Sequence, residues 1–308
     1  MNSYFSNPFM FPRRKKNCRR LFPAFPVSFP PIVRDRFLYV SSALNSTVEI
    51  YNIINPATPV HVGQFNTGDL SFPSGLAITA TTLYVANQNK NMIEIYNISN
   101  PTFPVHVGEF DGGNLNSPDQ LAITGNVLYE ANGGDNTVGI YNIFNPISPV
   151  RIGDINGANL NVPSGMAISN TTLFVGNTGD NTVGIYNISN PTFPIQVGEF
   201  NGGNLNIPAG LATTNNILYV ANAGDNTIEI YNISNPMDPI RIRDFNEGNL
   251  NAPAVLAITG TTLYVANAFG NNVEVYDISN PIIPTHVGEF GGGNLNFPNG
   301  LAIFTLFS

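Results

Sequence analysis

The side chains that could do chemistry are few, and their spacing is the first clue to what they are for. His61, His106 and His286 could ligate zinc or act as general bases. They occupy one recurring position, however, which Arg151, Gln196 and Arg241 share in the intervening copies of the pattern. Residues at one register of successive repeats are carried apart by the repeat itself. The expectation is therefore a polar group on the last strand of each unit, with no zinc site, no histidine catalyst and no cofactor.

Acidic residues recur in the same manner. Asp135, Asp180 and Asp225 sit in G-D-N turns, while Glu109, Asp154, Glu199, Asp244 and Glu289 are expected just after the last strand of a unit. Calcium favours oxygen-rich loops, but the dense D-x-D-x-D-G spacing is missing, so turn chemistry and a solvated acidic rim are expected. Asp119 stands out because Ser74, Ser164, Ala209, Ala254 and Asn299 hold its position elsewhere. If these positions converge, Ser74, Asp119, Ser164 and Asn299 form a small polar binding mouth with one carboxylate. The competing reading is ordinary drift on exposed loops.

Glu130 is the anomaly. It stands where Val40, Val85, Val175, Val220 and Val265 stand in the other copies. A carboxylate at an apolar position must be partnered, protonated or partly exposed, because burying its charge alone is costly. Cys18, the single cysteine, excludes an intrachain disulfide. Lys16 and Arg19 flank it and favour its thiolate, which makes it a candidate intersubunit crosslink.

The elements that must position these groups come from an exact repeat. The leucine of an L-Y-V-A-N phrase falls at 38, 83, 128, 173, 218 and 263, always 45 residues on. Each unit holds four short apolar segments rich in Val, Ile and Tyr, separated by Gly, Asn and Pro, which reads as four β-strands. The A-G-D-N turn at 223–226 supplies residues that tolerate positive φ. Eighteen of the 24 prolines fall at three recurring sites, a corner after Asn, the start of the fourth strand and a long loop, and none at a central-strand position.

Four antiparallel strands per 45 residues, six times, predict a six-bladed β-propeller. The first unit lacks its own first strand, and the chain ends on a spare one, GLAIFTLFS. The C-terminal strand is therefore expected to join the N-terminal blade and close the ring.

LYVAN followed by NTIEIYNISNP, with the corner Asp277-Ile278-Ser279-Asn280-Pro281, resembles the LVIVD repeat and is similar to the YVTN repeat of bacterial β-propellers. Asn97, Asn187 and Asn232 stand where that family prefers Asp. The resemblance spans residues 37–308 and implies the propeller fold, with a setting typical of surface or extracytoplasmic proteins that have no assigned reaction.

Residues 1–36 form a separate unit, expected to be extended or disordered alone. Eight of the twelve Lys and Arg lie there against one acid, a net +7, while the propeller carries −15. So acidic a body would repel nucleic acid. The Pro-broken apolar stretch LFPAFPVSFPPIV fits neither an export signal nor a membrane span.

The functional expectation is a non-enzymatic scaffold or protein-interaction module, part of a bacterial surface or spore-layer assembly, with the leader as a docking or self-association arm. A multivalent carbohydrate-binding propeller comes second, since Asn amides and aromatic rings can hold a glycan. A lactonase- or hydrolase-like enzyme comes third, because it needs unlike ionisable groups at one point, and only Asp119 offers one.

Overall fold

The computed structural model describes residues 35–157 and 159–306. Residues 1–34 of the leader, with Cys18, lie outside the described residues, and Arg36, expected in the leader, opens the first strand instead. The rest is an all-β ring of six four-stranded antiparallel sheets. Blade 2 shows the plan: Pro73–Thr79 innermost, then Thr82–Asn87, Met92–Asn97 and Val105–Phe110 outermost. Blade 1 takes three strands from the start of the described chain (Arg36–Ser42, Thr47–Asn52, Val60–Phe65) and its innermost from the end, Pro298–Thr305. Leu38 pairs with Ile303 and Val40 with Leu301, so the ring closes as the spare strand predicted.

The strand-two segment of blade 2 is buried at all six positions. Leu83 and Val85 pack with Tyr39, Val48 and Ile50 of blade 1, whereas Tyr84 and Ala86 pack with Leu121 and Leu128 of blade 3. A strand covered on both faces reads as a continuous apolar run, which is why these segments show little polar alternation. Six such clusters lie between successive blades, and the last, with Leu38, Val40, Tyr264 and Val273, joins blade 6 to blade 1.

Asparagine holds the loops. Asn132 at the end of a second strand accepts from Asn116 N–H at 2.6 Å and donates to Asn114 carbonyl at 2.9 Å. Asn222 repeats this on Asn206 (2.6 Å) and Asn204 (2.8 Å). Hairpin asparagines serve the next blade. Asn136, at φ 57°, accepts from Val162 N–H at 2.7 Å, combining tolerance of left-handed backbone with a clamp on the neighbouring loop. Asn91 does the same to Ser117 at 2.8 Å. The Asn-rich composition is thus fastening as much as solubility.

Two details differ from expectation. The long-loop prolines are the first residues of the innermost strands, as at Pro73 and Pro118, where the strand edge needs no N–H. Glu109 and its equivalents lie within the outermost strands rather than after them, which places their side chains on the sheet.

Candidate functional site

Ser74, Asp119, Ser164 and Asn299 each follow a strand-opening proline, so the ring brings their strands together around its axis. Approach there is tight: a Cβ on Gly75 would stand 2.3 Å from Asp119 carbonyl oxygen, and one on Gly300 2.0 Å from that of Ser74. Only glycine lets neighbouring strands converge this closely.

Ser164 Oγ donates to Asp119 Oδ2 at 2.6 Å. Ser74 Oγ lies 3.0 Å from Pro118 carbonyl and 3.2 Å from that of Asp119. Gln120 Nε2 donates to Asn299 carbonyl at 2.9 Å, tying blade 3 to the strand that closes blade 1. Asp119 Oδ1 is enclosed and has no hydrogen-bond partner. Burial raises the Asp119 carboxyl above the usual carboxylate range, and hydrogen bonding by Ser164 and Asn299 pulls the other way. The mouth therefore holds one half-buried carboxyl among hydroxyls and amides. Its serines face carbonyls and a carboxyl, which is a hydrogen-bonding surface rather than an activated nucleophile.

Glu130 is fully buried, and neither oxygen has a partner. The structure explains its place. Glu49, Glu94, Glu229 and Glu274 occupy one third-strand register, where blade 3 has Gly139 and blade 4 has Gly184. Glu130 pairs across the ladder with Gly139, and a Cβ there would stand 3.0 Å from Glu130 Oε2. Blade 3 has thus moved its buried carboxyl from the third strand to the second and cleared the facing position with glycine. Burial pushes Glu130 well above the carboxylate range. The charges of Asp119, Asp154 and Asp135 push it further, and Arg151 opposes them.

The buried glutamates are what sequence reasoning missed. The histidine positions do lie on the outermost strands, yet each side chain turns inward to a carboxylate. His61 Nε2 is 2.8 Å from Glu49, His106 2.7 Å from Glu94, and His286 2.6 Å from Glu274. Arg241 reaches Glu229 at 2.7 Å in the same register. Burial raises Glu94, Glu229 and Glu274, and these partners hold them back. The signal was present in V-E-I and I-E-I, an acid between two core aliphatics. Blade 4, with Gly184 and Gln196, carries no such pair; a cavity of about 390 Å³ lined by Tyr186, Phe193 and Gln196 opens between it and blade 3.

Residues 76–112 and 255–291 match the LVIVD repeat. The chain is a six-bladed β-propeller carrying LVIVD repeats. No curated protein matches it by sequence. Among solved structures it is similar to a functionally unknown protein from Desulfotomaculum acetoxidans, at 20% identity and TM-score 0.62, covering 85% of this chain and 82% of that one. It is also similar to a chain of a nidogen–laminin complex, at 15% identity and TM-score 0.65, covering 87% and 98%. A candidate 6-phosphogluconolactonase from Bacteroides fragilis gives 11% identity and TM-score 0.63, covering 89% and 98%. At these identities the likeness is one of fold.

Proposed function

We propose that the protein is a non-enzymatic scaffold that assembles through its rim, with residues 1–36 of one copy docking on the outer strands of another. The carrying observation is a belt of exposed aliphatic residues on the outermost strands. Val60 and Val62, Val105 and Val107, Val150 and Ile152, and Ile240 and Ile242 are 38–62% exposed. Apolar groups repeated at equivalent places around a surface mark contact sites. Their multiplicity suits avidity rather than chemistry at one point.

Every outermost strand also carries a register shift, as between Ile95 and Tyr96 opposite Gly108 and His106. Such irregularities discourage simple edge-to-edge sheet pairing. The rim therefore favours a partner that brings side chains. The leader combines Phe5, Phe9, Phe11, Phe22, Phe25 and Phe29 with its net +7, complementary to an aliphatic belt on a body of −15. A place in a bacterial surface or spore layer, with Cys18 as a crosslink, follows from that reading.

The carbohydrate reading draws less support. Tyr51, Tyr96, Tyr141, Tyr186, Tyr231 and Tyr276 are at most 2% exposed, so their rings pack blades and are closed to sugars. The lactonase reading rests on shared fold alone.

The test is the native mass of the full chain beside a chain starting at Arg36, each with and without reductant. Assembly of the full chain only supports the proposal, and sensitivity to reductant implicates Cys18. If both chains run as monomers, the proposal is overturned and attention turns to ligands of the channel mouth.

A further inference from the structure

Blade 2 departs from its sister blades at the buried glutamate. Glu94 and Glu109 face each other across neighbouring strands, an arrangement of like charges that is unfavourable unless something positive or hydrogen-donating lies between them. The other blades that keep the glutamate show how the conflict is resolved. In blade 5, Arg241 bridges Glu229 and Asp244, each at 2.7 Å, as a permanent cation. In blade 6, Asn272 Nδ2 donates to Glu274 at 3.0 Å and to Glu289 at 2.7 Å. In blade 1, Gln64 replaces the second carboxylate, and Thr47 donates to Glu49 at 2.7 Å.

Blade 2 has none of these. Met92 stands at the Asn272 position and donates nothing, and His106 stands at the Arg241 position. Asn87 donates to Glu94 Oε1 at 2.8 Å, fixing the carboxylate while leaving Oε2 toward His106. Lys90, the neighbouring ammonium, pairs with Asp69 at 2.6 Å. Ligating atoms of Glu94, His106 and Glu109 lie within 4.8 Å of one another. Glu94 is buried and Glu109 exposed, so the group opens to solvent at one side. The inner side is closed by the loop at Gly68, whose added Cβ would stand 2.7 Å from His106 and 2.9 Å from Glu94.

We propose that Glu94, His106 and Glu109 bind one divalent transition-metal ion, with Zn²⁺ as the best match to an imidazole and two carboxylates. Three protein ligands leave a fourth position for water or a partner's side chain. The ion takes the place that the Arg241 guanidinium fills in blade 5. Asn87 donates to the other oxygen of Glu94, Oε1, and so holds the ligand carboxylate in orientation.

Calorimetric titration of the chelator-treated full chain with Zn²⁺ tests this. The expected result is one saturable site per chain, weakened at least tenfold by Glu109→Gln. That residue is exposed, so the variant folds as the parent does. His106→Gln, which keeps a donor for Glu94, should weaken binding similarly. His286→Gln and Cys18→Ser should leave it unchanged. Absence of saturable binding below a Kd on the order of 100 μM overturns the proposal. So does binding that survives Glu109→Gln, or that is lost in Cys18→Ser or His286→Gln.

Discussion

Glu130 shows how a single residue can be a liability and still belong to the architecture. Its carboxyl lies beside Gly139, buried and without a hydrogen-bond partner. Because the native carboxyl holds its proton to higher pH than the unfolded chain, the folded state binds more protons in the interval between the two. The stability from this group is complete below about pH 4.5 and is lost as pH rises through the raised native value. Within that window the wild type should lose about 1.4 kcal/mol per pH unit from Glu130 alone. Glu130→Gln should flatten the profile, and the difference in Tm between the two proteins from pH 4 to pH 8 checks it. Identical profiles would show that the carboxyl is relaxed in the native state. The mouth is a milder case, since Ser164 meets one oxygen of Asp119 and the strands around it are held by backbone packing.

At the scale of elements, second-strand tyrosines bind four of the six blades to the next, while the Tyr264 hydroxyl of blade 6 has no hydrogen-bond partner. Tyr39, Tyr84, Tyr129 and Tyr219 donate to the corner carbonyls of Pro101, Pro146, Pro191 and Pro281 at 2.6–2.8 Å. The corner proline that looked like simple turn chemistry is therefore also an acceptor for a residue 62 positions earlier. Blade 4 has Phe174 at this register and cannot make the bond to Pro236. Tyr84→Phe should cost about 1 kcal/mol, read as a Tm fall of about 2–4 °C. Phe174→Tyr should gain a similar amount, provided its hydroxyl reaches the carbonyl as the four sister copies do. A loss of stability from Phe174→Tyr would mean that blade 4 is seated differently from its neighbours. Its Gly184 and the adjoining cavity make that comparison informative.

For the whole molecule, the ring depends on one strand arriving from the far end of the chain. Pro298–Thr305 pairs with Arg36–Ser42 and contributes Leu301, Ala302 and Phe304 to the cores on either side of blade 1. Ending the chain at Asn296 should leave blade 1 with three strands and an open edge, exposing those cores. Lowered Tm and dye binding to exposed apolar surface would report it, and an unchanged Tm would show that the five complete blades stand without closure. The proposed assembly belongs to this scale as well, because the exposed aliphatic residues of the outer strands line one rim only once the blades are set in a ring.

The repeat period, the four strands per unit and the closure were legible from the chain, whereas the meeting of Ser74, Asp119, Ser164 and Asn299 stood there only as an alternative to drift on exposed loops. The legible features follow from local rules: strand and turn chemistry has a range of a few residues, and an exact 45-residue spacing turns one correct unit into six. The leader's charge and its phenylalanines are likewise plain in the sequence. What only tertiary structure decided is where side chains point between blades. The histidines could be placed on outer strands from the sequence, but their inward turn onto Glu49, Glu94 and Glu274 depends on cross-strand register and on the cover given by the preceding blade's loop. Glu130 looked like an isolated Val replacement until the ladder set it opposite Gly139. Pairing across strands joins residues many positions apart, so its energetics cannot be read from either segment alone.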